Sequence, residues 1–296
     1  MHREILQAIL DCYPELDVQT LRVIDSGQVN MILIVNESLV FRFPKTASGV
    51  NQLLTELAVL RIIQGRLPLA VPEPVYISTL SGLPGKVFAG HPMVSGEPLG
   101  KHIEALKALP STQLDAIADD LADFMHALHG MPVPSDVSAR LPNHSVGRKQ
   151  NISVLRNQVD DSLTARLLPE YASRVFAQFE RFLGDSHNFD FAPALRHGDL
   201  GPGNVLVDPH TFRLSGVIDF GAAGLDDPAT DLGFVLLWGM HLFGASFAER
   251  VLARYGADDA LRTRAGFFHM AIALTVALGG LESGNQNDLD FGLAAL

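Results

Sequence analysis

Three side chains in the last third of the chain are spaced as phosphoryl transfer would need them. Residues 195–204 read L-R-H-G-D-L-G-P-G-N and residues 216–221 read G-V-I-D-F-G, so the skeleton is H-x-D-x4-N with an aspartate fifteen positions beyond the asparagine. Phosphoryl transfer asks little covalent chemistry of a protein; it asks for positioning and charge neutralisation. Asp199 is of the type that orients an attacking hydroxyl and accepts its proton. Asn204 and Asp219 offer the amide and carboxylate oxygens that Mg²⁺ takes together with a triphosphate.

The elements around this core must deliver it to one edge. Leu21–Ile24, Met31–Val35 and Leu39–Phe43 are short β-branched or aromatic runs between turn residues, which predicts an antiparallel meander. Asn51–Gln64 carries Leu53, Leu54, Leu57, Leu60 and Ile63 at helical spacing, with Gly65 as a stop. Val75–Ser78 and Lys86–Ala89 read as two further strands. Beyond Gly90 the pattern turns helical: 112–129, 150–166 and 170–184. Asn204–Val207 and Phe212–Ile218 predict a hairpin that carries Asn204 and Asp219. Leu232–Ala248 and Ala265–Leu281 lack Asp, Glu, Lys and Arg, and read as buried helices rather than membrane spans. The layout is α+β and two-lobed: a small antiparallel β-sheet lobe with one main helix at 1–93, and a larger, mostly helical lobe at 94–296, joined by a linker near 90–98.

At these residues the chain resembles the aminoglycoside phosphotransferase family, with its protein-kinase-like fold. The likeness continues through Asp226-Asp227-Pro228-Ala229-Thr230-Asp231-Leu232, similar to that family's D-P-x-x-D-[LF] segment. Upstream, Phe41-Arg42-Phe43-Pro44-Lys45, Glu56 and the connector Leu67–Pro72 are similar to the 2''-aminoglycoside kinase branch. The resemblance implies ATP or GTP as donor, Mg²⁺ as cofactor and a small-molecule hydroxyl as acceptor. It implies Asp199 as catalytic base, Asn204 and Asp219 as metal ligands, and His197, Asp227 and Asp231 as structural support of the catalytic loop.

Two departures stand out. Arg42 occupies the position of the strand-three lysine; arginine is permanently charged and binds phosphate bidentately, and Glu56 is its expected partner. Lys45 lies past Pro44 on the other face of the strand by period-two counting. After the D-P-x-x-D-L segment, where the 2''-kinases carry acids, this chain has the apolar run Val235–His241, which suits a greasier acceptor such as a macrolide. The phosphate-covering loop, Asp25–Asn30, has a single glycine. The hinge is placed at His91–Gly96, where Pro92 lacks an N–H, so Met93 or Val94 is expected to donate to the base.

The net charge is −11, with 33 acidic residues against 22 Lys and Arg, which argues against nucleic acid as the partner. The excess lies towards the C-terminus, where Glu282, Asp288 and Asp290 are candidates to receive the ammonium groups of an aminoglycoside. Cys12, the single cysteine, has no internal partner, and no secretory signal is visible at the N-terminus. A cytoplasmic protein, monomeric or weakly dimeric and off the membrane, is expected. His126 and His129 sit at i, i+3 without further ligands and read as structural, and Trp238 reads as core. The expected activity is Mg²⁺-dependent transfer of a γ-phosphate to a small-molecule hydroxyl. An aminoglycoside is the leading acceptor; the alternatives are a macrolide, a metabolite such as choline, a sugar or an amino-acid alcohol, and a catalytically silent nucleotide-binding pseudokinase.

Overall fold

The β-branched and aromatic runs near the N-terminus pair as their alternation demands. In the computed structural model, which describes residues 2–25, 27, 29–78 and 82–296, helix α1 (His2–Cys12) precedes strands β1 (Leu21–Ile24), β2 (Asn30–Val35) and β3 (Leu39–Pro44). Helix α2 (Ala47–Ile63) and strands β4 (Tyr76–Ser78) and β5 (Phe88–Pro92) complete a five-stranded sheet of order β1-β2-β3-β5-β4, antiparallel at every pairing. Period two divides its faces. Met31, Leu33, Val35, Phe41, Phe43 and Phe88 pack against Ile5 and Ile9 of α1. Each of these large side chains contributes roughly 1.5–3 kcal/mol by burial. Ile32, Ile34, Val40 and Arg42 point the other way, into a cavity, while Val87 and Ala89 meet Val50, Leu53 and Leu57 of α2.

Helix α2 starts at Ala47 rather than Asn51, because the Thr46 side chain caps it by accepting from Gly49 N at 3.1 Å. It ends before Gly65, whose φ of +66° suits a residue without Cβ. The strand expected at Lys86–Ala89 runs instead from Phe88 to Pro92, so only residues 93–96 separate it from β6 (Glu97–Pro98).

The helical part follows with α3 (Ile103–Lys107), α4 (Ser111–His129), α5 (Ser135–Ser138), α6 (Arg148–Ser162) and α7 (Pro169–Gly184). Strands β7 (Ala194–Arg196), β8 (Val205–Val207), β9 (Leu214–Val217) and β10 (Gly224–Asp226) then alternate with loops. The β8–β9 pairing is the expected hairpin; β6 adds to it and β7 pairs with β10. Helices α8 (Ala229–Phe243), α9 (Ala245–Tyr255), α10 (Asp259–Ser283) and α11 (Gln286–Ala294) close the fold. The apolar stretch 232–248 is therefore two helices, broken at Gly244 with φ +87°. The stretch 265–281 lies wholly within α10. Among the described helices α10 alone is long and apolar enough to cross a bilayer; it packs on α8 and α11, which close on it at Gly233 and Gly292. One continuous core, built chiefly from α4, α8, α10 and the short strands, lies under the loop that carries Asp199.

Candidate active site

The loop between β7 and β8 is held from below by one carboxylate. Asp231, fully buried at the start of α8, accepts the His197 N–H at 2.7 Å and the Gly198 N–H at 2.9 Å. Gly198 has φ +87°, and a Cβ there would lie 2.4 Å from the Ala222 carbonyl oxygen, so only glycine makes this turn. Burial works against the Asp231 charge, yet the His129 hydrogen bond and the nearby charge of Arg196 hold its pKa far below the usual carboxylate range. His129 Nε2 lies 3.2 Å from Asp231, and its Nδ1 lies 2.9 Å from the Tyr255 hydroxyl. Helices α4 and α9 thus brace the loop through one buried relay. Trp238 of α8 is buried as expected and donates from Nε1 to the Leu200 carbonyl at 2.9 Å.

His197 is fully buried, and its Nδ1 accepts the Asp199 N–H at 3.2 Å. Nε2 therefore carries the hydrogen and donates to the Ile218 carbonyl at 3.1 Å. Burial lowers its pKa despite the nearby Asp231, so the ring is neutral. The histidine ties the loop to the end of the β8–β9 hairpin and leaves Asp199 exposed above it. Asn204 Nδ2 donates to the Asp199 carbonyl at 2.8 Å and to its carboxylate at 3.0 Å, which turns the amide oxygen of Asn204 to other use.

Asp219 sits just past the hairpin at φ +67°, ψ 69°, a conformation that costs a non-glycine residue on the order of 1–3 kcal/mol. Its Oδ1 receives Arg42 Nη2 at 2.8 Å. Arg42 Nη1 meets both Glu56 oxygens, at 2.5 and 2.7 Å, and Glu56 also accepts the Phe220 N–H at 3.2 Å. The expected Arg42–Glu56 pair is present and reaches further, to Asp219. Burial opposes the charge on both Arg42 and Asp219. Even so, Glu56 and Asp219 raise the Arg42 pKa, and Arg42 lowers that of Asp219, so both are charged at neutral pH.

Arg42, Asn204 and Asp219 stand at the polar end of a cavity of about 770 Å³. Ile24, Ile32, Ile34 and Val40 of the sheet line it together with Leu206, Ile218, His91, Met93 and Val94. The Met93 N–H is spent on the Ser38 carbonyl at 2.7 Å, whereas the Val94 N–H has no backbone partner among the described residues. Lys45, set aside as a phosphate ligand, donates to the Asp25 and Gly27 carbonyls at 2.8 and 2.6 Å and pairs with the Asp25 carboxylate at 2.7 Å. It anchors the loop Asp25–Asn30, of which Ser26 and Gln28 lie outside the described residues.

The donor set suits a magnesium ion. Among the described residues no group of three His, Cys, Asp or Glu could hold a metal by itself. Mg²⁺ needs only one or two protein oxygens when phosphates and water supply the rest, and the Asn204 amide oxygen with the ionised Asp219 carboxylate matches that demand.

The remaining residues fall elsewhere. Asp227 is buried, caps α8 by accepting Ala229 N at 3.0 Å and pairs with Arg264 at 2.7 Å. Arg148 and Arg196 both pair with buried Asp226, a cluster that short-range sequence patterns do not reveal. Glu282, Asp288 and Asp290 are exposed at the end of α10 and on α11, and none lines the cavity. Asp288 and Asp290 accept from Asn285 and Gln286, each at 2.7 Å.

Comparison with known proteins agrees with this geometry. The model of the phosphotransferase enzyme family matches residues 20–267. Viomycin phosphotransferase of Streptomyces vinaceus is 28% identical, the match spanning 99% of this chain and 97% of that protein. Aminoglycoside 3'-phosphotransferase of Streptomyces fradiae is 29% identical over 57% of this chain, but the match spans only 63% of that relative, less than two thirds of its length. The solved GDP and kanamycin complex of APH(2'')-IIIa superposes with a TM-score of 0.81 at 28% identity, covering 98% of this chain and 96% of that one. The loop of Asp199, the hairpin of Asp219 and the strand of Arg42 all lie inside the matched residues, and the chain belongs to the phosphotransferase enzyme family.

Proposed function

We propose that this phosphotransferase moves the γ-phosphoryl group of a nucleoside triphosphate to a hydroxyl of a small antibiotic-type acceptor, an aminoglycoside first. The observation that carries this reading is that Arg42, Asn204 and Asp219 line one cavity of nucleotide size, with Glu56 bonded to Arg42 and Asp199 bonded to Asn204. The lobes divide at residues 93 and 94, with the nucleotide between them.

Asp199 accepts the proton of the acceptor hydroxyl as its oxygen attacks the γ-phosphorus, and the diphosphate leaves. Asn204 holds the Asp199 carboxylate in place. Arg42, fixed by Glu56, neutralises phosphate oxygens of the donor. A magnesium ion held by the Asn204 amide oxygen and Asp219 would supply charge neutralisation between the donor phosphates. His197, Asp231 and Asp227 hold the loop and the start of α8 beneath these groups. Val94, or Met93 if its bond to Ser38 opens, presents an N–H to the base.

The likeness to the kanamycin-bound APH(2'')-IIIa over nearly the whole chain supports an aminoglycoside, whereas Glu282, Asp288 and Asp290 lie off the cavity and do not bear on the choice. A macrolide is the second acceptor to test; the apolar run Val235–His241 that suggested it is core of α8 from Val235 to Gly239, with only Met240 and His241 exposed. A coupled assay with Mg²⁺, ATP or GTP and a panel of aminoglycosides, macrolides and amino alcohols tests the proposal. Acceptor-dependent diphosphate release with phosphorylated product is expected. Nucleotide binding without transfer to any acceptor would favour the pseudokinase alternative.

A further inference from the structure

Helix α8 grips the loop of Asp199 at two points, and the mechanism above uses only the first. Asp231, in the first turn, accepts the His197 and Gly198 N–H groups at 2.7 and 2.9 Å. Trp238 lies seven residues on, which is two turns and about 10.5 Å along the same face of the helix. Its indole Nε1–H donates to the Leu200 carbonyl at 2.9 Å. The helix therefore offers an acceptor to the N–H groups before Asp199 and a donor to the carbonyl after it. Among the buried side chains of α8 only these two hydrogen-bond residues 197–200.

The indole is held firmly enough to act as an anchor. Trp238 is 3% exposed, and its ring packs against Phe243 of α8 and Phe247 of α9, with centroids 6.3 and 6.0 Å away. Gly239 lets α9 come close, because a Cβ there would lie 2.9 Å from the Phe247 ring. The loop needs such an anchor. Leu200 is fully buried beside the exposed Asp199, and its carbonyl takes no backbone N–H among the described residues. Trp238 itself does not line the nucleotide cavity.

We propose that Trp238 is a positioning residue for Asp199, its indole N–H fixing the Leu200 carbonyl so that the carboxylate meets the acceptor hydroxyl. The proposal rests on the reading of Asp199 as the base. Asp199 stands between two anchors: His197 Nδ1 accepts its own N–H at 3.2 Å, and the indole holds the carbonyl of the next residue. Without the indole N–H a buried carbonyl has no partner, so the loop shifts to reach one and the carboxylate moves with it. A reacting group misplaced by about 1 Å can lose about 100-fold in rate. Arg42, Glu56 and Asp219 hold one another independently of this bond, so the loss falls on turnover and spares nucleotide binding.

Trp238 is the single tryptophan of the chain, so biosynthetic replacement of tryptophan by 3-benzothienylalanine changes this residue alone. A sulfur then takes the place of the N–H while the shape of the ring is kept. The full-length protein is compared with the wild type in kcat, acceptor KM and nucleotide affinity, with Mg²⁺ and the best acceptor from the panel. The isostere should lose at least about tenfold in kcat, the worth of one hydrogen bond, with KM and nucleotide affinity within about twofold. Trp238→Phe should show the same split. Wild-type kcat in the isostere would overturn the role of Trp238 and leave Asp199 as base. A fall in kcat matched by an equal loss of nucleotide affinity would also overturn it, since that marks a part in the fold alone. No turnover by the wild type on any acceptor would overturn both readings. One measurement needs no variant to fold: the lone indole N–H signal in nitrogen-15 NMR of the wild type should exchange slowly with solvent and move when acceptor joins the nucleotide complex. A signal that acceptor leaves unmoved would end the proposal.

Discussion

Arg42 and Asp219, 177 positions apart in the chain, meet at 2.8 Å across the mouth of the cavity. The same guanidinium grips Glu56 with its other nitrogen, so one side chain couples β3, α2 and the hairpin loop. Arg42→Ala should strand the Glu56 carboxylate, which is 3% exposed, and cost about 3–5 kcal/mol of stability in urea unfolding. Arg42→Lys keeps the charge but loses the fork, and should cost about 1–3 kcal/mol with a matching loss of kcat/KM. A lysine variant as stable and as active as the wild type would show that the fork is not used.

The loop beneath Asp199 depends on Asp231. Asp231→Ala leaves the His197 and Gly198 N–H groups unpaired, each worth about 1–3 kcal/mol when buried. Tyr255→Phe removes only the distal bond to His129 and should lose about 1 kcal/mol. Unfolding midpoints ordered wild type, Tyr255→Phe, Asp231→Ala check the relay; the reverse order of the two variants would refute it.

Acid should weaken the fold before most carboxylates titrate. Burial, with the charges of Arg196 and Arg148, lowers the His144 pKa to about 4, and His91, His197 and His269 are shifted down by burial as well. The unfolded chain takes up these protons near pH 6.5 and the folded one only lower. The stability they contribute is therefore fully present above about pH 6.5 and is lost as pH falls towards 4. The urea midpoint should drop through that window, and His144→Gln should flatten part of the drop.

Two glycines in neighbouring helices should respond oppositely to alanine. A Cβ on Gly233 of α8 would lie 2.7 Å from Phe268 Cβ and 2.9 Å from the His269 nitrogen, whereas one on Gly266 of α10 meets nothing within 4 Å. Gly233→Ala should cost about 1–3 kcal/mol through forced separation of α8 from α10. Gly266→Ala should add about 0.5–1 kcal/mol through helix propensity. Thermal unfolding of both variants decides it.

What the sequence carried well was local and periodic. The β1–β3 meander, α4 and the β8–β9 hairpin follow from alternation or a helical stripe, and H-x-D-x4-N marks its loop because the chemistry compresses it into eight residues. What it carried poorly depends on distance or brevity. Strands β6, β7 and β10 are two or three residues long, too short for a period to register. Gly244 divides an apolar run that by composition reads as continuous, because the break lies in its φ. The His129–Asp231 contact joins residues 102 apart, and the Arg148–Asp226–Arg196 cluster forms only when α6 folds onto β7 and β10. Lys45 was placed correctly off the face of Arg42, yet its bonds to the Asp25 loop needed the folded turn.

The central claim, that Asp199 serves as base in a site assembled by Arg42, Asn204 and Asp219, is tested most directly by Asp199→Asn. The measurement is nucleotide affinity and acceptor-dependent diphosphate release, made on the same protein in the presence of Mg²⁺ with the best acceptor from the panel. The asparagine keeps the shape and the contact to Asn204 but cannot take the proton, so affinity should stay within about threefold while turnover falls at least about 100-fold. Turnover near the wild-type rate with affinity unchanged would contradict the account.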